Sequence, residues 1–253
     1  MTKNTILSVN NLCKSFFAGG REQKVLKNLD IEFYDGDFTV IMGSSGAGKS
    51  TLLYALSGMD KPTGGEIYYG EHELSKLSND RLAVFRRENC GFVFQQVYLL
   101  DNMSVLDNVL SCGFLIKRNR AEVILRAKEL LLRVGLPEDH WRKFPSQISG
   151  GQAQRAGIVR ALINEPRILF ADEPIGALNS SAGNDVLDEL TYANQNGQSI
   201  IMVTHDLKSA GRGDRVIYLH DGMIKGEFIL GKYAGRDDSR LENLKEFLTK
   251  MGW

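Results

Sequence analysis

Apolar residues recur along this chain with two periods. Short apolar or alternating runs predict strands at residues 6–9, 25–33 and 38–42, with turns marked by Gly19-Gly20 and Asp35-Gly36. Over 49–56 the pattern becomes helical, so strand, glycine loop and helix follow one another, as at the start of a mononucleotide-binding unit. A turn and strand follow at 63–70, and a short apolar run at 91–94. Between about 104 and 164 the spacing is helical: Val105, Leu106, Val109 and Leu110, then Val123, Leu125, Ala127, Leu130, Leu131 and Val134. Residues 167–171 and 199–203 look like strands buried on both faces, and a helical stretch at 182–194 separates them. Parallel pairing through a crossover helix is the natural outcome. At the end, Leu241, Leu244, Phe247, Leu248 and Met251 form one helical stripe, which predicts a helix packed back on the core.

The pattern describes a single domain over residues 1–253: an α/β unit carrying a helical insertion near 97–164 and a helical extension over 227–253. A length of 253 residues suffices for one full core, and five prolines leave no stiff linker to divide it. With 31 basic and 31 acidic residues the net charge is zero, so no nucleic-acid partner is expected. An apolar share of 43% against 25% charged residues argues against extended disorder. No apolar run approaches the roughly 18 residues of a membrane span. The polar start Met1-Thr2-Lys3-Asn4 lacks a signal-peptide core, which predicts a cytoplasmic protein. Cys13, Cys90 and Cys112 are odd in number and lack ligand spacing, so they are expected as reduced, packed thiols.

Candidate chemistry begins at Gly43-Ser44-Ser45-Gly46-Ala47-Gly48-Lys49-Ser50, which fits G-x-x-x-x-G-K-[ST] between a predicted strand and a predicted helix. Glycines let successive backbone N–H groups turn toward phosphate oxygens, and the helix start adds its positive dipole end. Lys49 is expected to reach the β- and γ-phosphates and the Ser50 hydroxyl to ligate Mg²⁺. A second signal is Asp172-Glu173, two carboxylates at the end of an apolar strand, the end that faces the ligand crevice of a parallel sheet. Adjacent strand side chains point apart, so the two acids are expected to differ in task. Asp172 suits Mg²⁺, and Glu173 then serves as general base toward the attacking water.

A second anion-binding helix start is predicted at Ile148-Ser149-Gly150-Gly151-Gln152, with Ser149 as N-cap and a helical run to Leu162. Here the chain resembles the ATP-binding cassette (ABC) family, whose Leu-Ser-Gly-Gly-Gln signature stands with Ile148 in place of Leu. The resemblance runs from about residue 6 to 226 and implies a P-loop NTPase with a RecA-like core, an N-terminal antiparallel β subdomain and an inserted helical subdomain. It implies ATP and Mg²⁺ as cofactors. Nucleotide contacts would come from Phe16, stacking on adenine, from Gly43, Ser44, Ser45, Gly46, Ala47, Gly48, Lys49, Ser50 and Thr51, and from Ser149, Gly150, Gly151 and Gln152. Gln95 would sense Mg²⁺ and the transport partner, and His205 would contact the γ-phosphate. Glu173, His205, Gln95 and Lys49 thus form the implied catalytic set, and Ser50, Gln95 and Asp172 the metal set.

In the family two such domains pair head to tail, with each ATP between the phosphate loop of one and the signature of the other. The resemblance therefore implies an ATP-dependent homodimer that does work only through an integral-membrane permease, peripheral on the inner face of the plasma membrane. Two positions depart from the pattern: Asn179 stands where the D-loop commonly has Asp, and Ile175 where Thr or Ser often follows Asp-Glu-Pro. The stretches 91–96 and 104–109, with the tail, are similar to the bacterial branch for lipoprotein release, macrolide export and antimicrobial-peptide resistance, which partners FtsX-like permeases. The implied function is ATP hydrolysis powering export or detoxification of a peptide, lipid-linked or drug-like substrate. A DNA-repair or chromosome-organising ATPase shares the signature, but the chain lacks sustained heptads and a basic surplus. Translation factors of this type carry two cassettes, against one phosphate loop here.

Overall fold

In the computed structural model, which describes residues 4–117, 119–235 and 237–253, the first strand runs well beyond its apolar stretch. Strand β1 (Thr5–Ala18) pairs antiparallel with β2 (Arg21–Tyr34) along its whole length, and Gly19 and Gly20 turn the hairpin. The expected strands at 6–9 and 25–33 are only parts of this ribbon, which also buries Leu12. Its register shifts after Val9, where Asn11 takes φ 50° and donates its N–H to Asp30 Oδ1 at 2.7 Å. The polar start Met1-Thr2-Lys3 lies outside the described residues.

Strand β3 (Phe38–Met42) is buried at every position, and helix α1 (Lys49–Leu56) follows it, with Leu52, Leu53 and Leu56 turned inward. Strand β4 (Gly64–Tyr69) pairs with β1, and β5 (His72–Glu73) completes an antiparallel sheet in the order β2-β1-β4-β5. Helix α2 (Asn79–Asn89) is absent from the hydrophobic pattern because it buries only Leu82.

The described chain divides into two compact units, Met1–Ala83 with Gly197–Trp253, and Val84–Asn196. In the second, β6 (Cys90–Phe94) lies parallel to β7 (Ile168–Asp172), with Phe94 opposite Asp172. Between them come α3 (Val105–Gly113), α4 (Arg120–Arg133), α5 (Glu138–Trp141), a 3-10 turn (Pro145–Gln147) and α6 (Gly150–Leu162). Their core gathers Val105, Val109, Val123, Ala127, Leu131 and Trp141. Leu125, expected in that stripe, is 60% exposed. Two residues past Val123 is about 200° around a helix, so it points away from the core. Helix α7 (Ser180–Gln195) ends the unit.

The chain returns to the first unit through β8 (Ser199–Val203), helix α8 (Leu207–Ala210), β9 (Arg215–His220) and β10 (Met223–Ile229). Strand β3 lies parallel to both β8 and β9, and β10 folds back on β9 around Asp221-Gly222, both at positive φ. Helix α9 (Asp238–Lys250) buries Leu244 and Leu248 and stacks Phe247 on Phe228 at 5.2 Å, so the terminal stripe does pack back on its own unit. The three cysteines are free and half-buried.

Candidate active site

The phosphate-loop motif spans the turn between β3 and α1. A Cβ on Gly43 would lie 2.1 Å from the Leu219 carbonyl oxygen, so the loop passes too close to β9 for a side chain. Gly48 starts the helix at φ 98° and has no capping side chain, while the first turn of α1 carries no acid. That leaves a helix start whose dipole and backbone N–H groups suit an anion. Lys49 folds back across the loop, its Nζ donating to the carbonyls of Gly43 at 2.9 Å and Ser44 at 3.0 Å. Ser50 and Thr51 stand in the same first turn.

Phe16 lies on β1, 42% exposed, with Lys14 Nζ 4.9 Å from its ring centroid. Lys14 is itself pinned by Asp60 at 2.6 Å and the Lys61 carbonyl at 2.7 Å. This cation under the ring had no signal in the sequence, because its partners are 46 and 47 residues away. His205 is exposed just after β8, between two anchored neighbours. Thr204 N–H donates to Ile41 O, and Asp206 caps α8 by accepting Ser209 N–H at 2.7 Å.

In the second unit the register Phe94↔Asp172 sets Gln95 and Glu173 just beyond the same ends of two parallel strands. Asp172 is 8% exposed. Glu173 has left the strand at φ 44°, a region that few residues other than glycine occupy, so a backbone turn separates the two acids rather than strand alternation. A Cβ on Gly176 would lie 2.8 Å from Gln95 Nε2, so the glutamine packs against the turn that follows Glu173. Asn179 caps α7, its Oδ1 accepting Ala182 N–H at 2.9 Å, a task Asp performs equally well.

Ser149 caps α6 as the sequence predicts: its Oγ accepts Gln152 N–H at 3.2 Å, and Gln152 Oε1 accepts Ser149 N–H at 2.9 Å. Helix α6 also holds the segment after β6. Gln154 Nε2 donates to Phe94 O at 2.9 Å, and Arg160 donates to Val97 O and Tyr98 O at 2.6 Å each. Burial pushes the Arg160 guanidinium below its ordinary pKa. Neither residue was found from sequence, since contacts across about 60 positions leave no local pattern. Thus Phe16, Gly43 to Thr51 and His205 belong to one unit, and Gln95, Ser149 to Gln152, Asp172 and Glu173 to the other.

Among the described residues no helix is long and apolar enough to cross a membrane. Residues 26–176 match the family model described as "ABC transporter". The ABC transporter ATP-binding protein MJ1508 of Methanocaldococcus jannaschii is 42% identical, across 87% of this chain and 97% of that protein. The bacitracin export ATP-binding protein BceA of Halalkalibacterium halodurans is 40% identical, across 98% of this chain and 96% of its own length. Among solved structures, the dimeric cassette MJ0796 bound to ADP and phosphate superposes with a TM-score of 0.81 at 36% identity, covering 90% of this chain and 100% of that one. A loop built for phosphate, a capped signature helix and near-full-length relatives converge on one conclusion: the chain belongs to the ABC transporter family, as one of its ATP-hydrolysing subunits.

Proposed function

We propose that this ATPase subunit powers export or detoxification of a peptide, lipid-linked or drug-like substrate through a separate FtsX-like permease. It works as a head-to-tail homodimer on the cytoplasmic face of the plasma membrane. The observation that carries the reading is the 98% coverage of this chain by BceA, a protein named for bacitracin export. The phosphate-loop backbone and Lys49 grip the β- and γ-phosphates, Phe16 stacks on adenine, and the start of α6 closes on the γ-phosphate of ATP held by the other copy. Glu173 takes the proton of the attacking water, and His205 holds the γ-phosphate as charge moves onto it. Ser50, Gln95 and Asp172 offer hydroxyl, amide and carboxylate oxygens, a donor set that fits Mg²⁺. Mg²⁺ held by these residues would neutralise negative charge on the nucleotide's phosphates.

The test uses a tagged Glu173→Gln chain, which keeps the side chain's size and removes its basicity. ATP binding should stay within about twofold of wild type while turnover falls by a factor of about 10² or more, the range general-base loss produces. Purified from detergent-solubilised membranes with ATP, the variant should carry a polytopic membrane protein. Unchanged hydrolysis would overturn the role of Glu173, and recovery of nucleic acid in place of a membrane protein would overturn the transport reading.

A further inference from the structure

Helix α5 ends beside the signature, and its His140 meets Gln152 directly: His140 Nε2 lies 3.1 Å from Gln152 Nε2, and His140 Nδ1 lies 3.0 Å from Asp139 Oδ1. Proton positions follow from the partners. Gln152 Oε1 is committed to Ser149 N–H, so the Gln152 atom facing the imidazole is the NH₂ group, a donor. The Nε2 atom of His140 must then accept, which puts the ring proton on Nδ1, where the Asp139 carboxylate receives it. Asp139 is fixed in turn by Lys143 Nζ at 3.1 Å, and these two hydrogen bonds hold its carboxyl below the usual range. The relay therefore reads Lys143, Asp139, His140, Gln152, Ser149. His140 is 16% exposed, within reach of protons but out of bulk water.

We propose that His140 is a positioning residue for the signature. As the neutral Nδ1–H tautomer it orients the Gln152 amide so that its carbonyl completes the cap on Ser149, and protonation of the ring breaks that arrangement. A protonated imidazole offers N–H at both nitrogens, so its Nε2–H would confront the Gln152 NH₂, donor against donor. Rotating the amide to present its oxygen to the ring would aim the NH₂ at Ser149 N–H instead. One of the two hydrogen bonds is lost whichever way the amide turns, and the start of α6 loses the geometry with which it meets phosphate. The charged groups facing the imidazole are Asp139 and, behind it, Lys143; Gln152 on α6 is neutral. Hydrolysis by the wild type should accordingly fall when acid charges the ring. The inference rests on the signature serving as the second phosphate contact.

The experiment compares the pH profile of kcat for the full chain with those of His140→Gln and His140→Arg. A glutamine can offer its amide oxygen to Gln152 at any pH, so His140→Gln should keep wild-type turnover at neutral pH and lose at least part of the acid decline. Arginine is a permanent donor, so His140→Arg should be depressed about tenfold throughout, on the scale of one lost hydrogen bond in a phosphate contact. Nitrogen shifts of ¹⁵N-histidine-labelled protein report the tautomer without reference to activity. A proton on Nε2 at neutral pH, or a His140→Gln profile that overlays the wild type, would overturn the proposal. Ser149→Arg separates the two readings. If it hydrolyses ATP normally, the signature is not a phosphate contact; if it is inactive while His140→Gln still tracks the wild type, only the role of His140 fails.

Discussion

At Gly43 the backbone itself sets the requirement, because a Cβ would overlap the Leu219 carbonyl oxygen at 2.1 Å and would also lie 3.3 Å from the Ala47 side chain. Gly43→Ala must therefore push the loop away from β9, and Lys49, which holds the Gly43 carbonyl, moves with it. Overpacking of this kind costs about 1–3 kcal/mol. For a domain of this size each kcal/mol lowers the melting temperature by roughly 2–4 °C. A fall of several degrees and weaker nucleotide binding are expected together, read by thermal melting and by titration with a fluorescent nucleotide. Gly46→Ala is the contrast: a Cβ there meets nothing within 4 Å, and only its φ of 79° resists substitution, so the expected loss is about 1 kcal/mol.

Among the elements, α9 is tied to its unit by more than its apolar stripe. Arg240 donates to the carbonyls of Gly211 at 2.7 Å, Leu230 and Gly231 at 2.9 Å each, and Gly213, drawing together the turn after α8 and the end of β10. Arg240→Ala would strand these carbonyls, and hydrogen bonds to a charged group carry about 1.5–3 kcal/mol apiece without being additive. A loss of about 2–4 kcal/mol is expected, seen as a lower melting temperature. Arg240→Lys should restore little, since one ammonium cannot span four carbonyls from two segments. Helix α9 was legible in the sequence through Leu244 and Leu248, but Arg240 was not, because its partners are backbone atoms. The same physics divides the rest of the fold. Strands β3 and β8 and helix α1 occupy the residues expected of them, since buried runs bounded by glycine have few other solutions. Helix α2 escaped because one buried leucine makes no period, and the hairpin end of the β1–β2 ribbon because most of it is exposed. The β9–β10 hairpin went unread, and the helical extension expected from residue 227 begins only at Asp238 because 227–229 still belong to β10. In the site, contiguous motifs such as 43–50 and 149–152 were readable, whereas the roles of Lys14, His140 and Arg160 depend on partners distant in sequence.

For the molecule as a whole, the question is what holds two copies together. Basic and acidic residues number 31 each, so like copies have no net repulsion to overcome and no net attraction to draw them in. On the proposed reading, association draws on nucleotide shared between a phosphate loop and the partner's signature. A ligand that binds only the associated form stabilises it by about 2.7 kcal/mol at 100 times its dissociation constant. Two such sites contribute about 5 kcal/mol, a gain of roughly 10⁴ in the association constant. The Glu173→Gln chain, which should hold ATP without consuming it, is therefore expected to pass from monomer to dimer on adding ATP, at protein concentrations where ADP leaves it monomeric. Light scattering coupled to size exclusion reads the mass directly. Adding Ser149→Arg should keep the loop's own grip on ATP and abolish the dimer, because the bulk and length of arginine block the start of α6 from reaching the partner's phosphate. If the double variant still dimerises, the signature does not bridge the copies. If neither variant dimerises while both bind ATP, the nucleotide does not join them, and the energy for closing the pair has to be supplied by the permease.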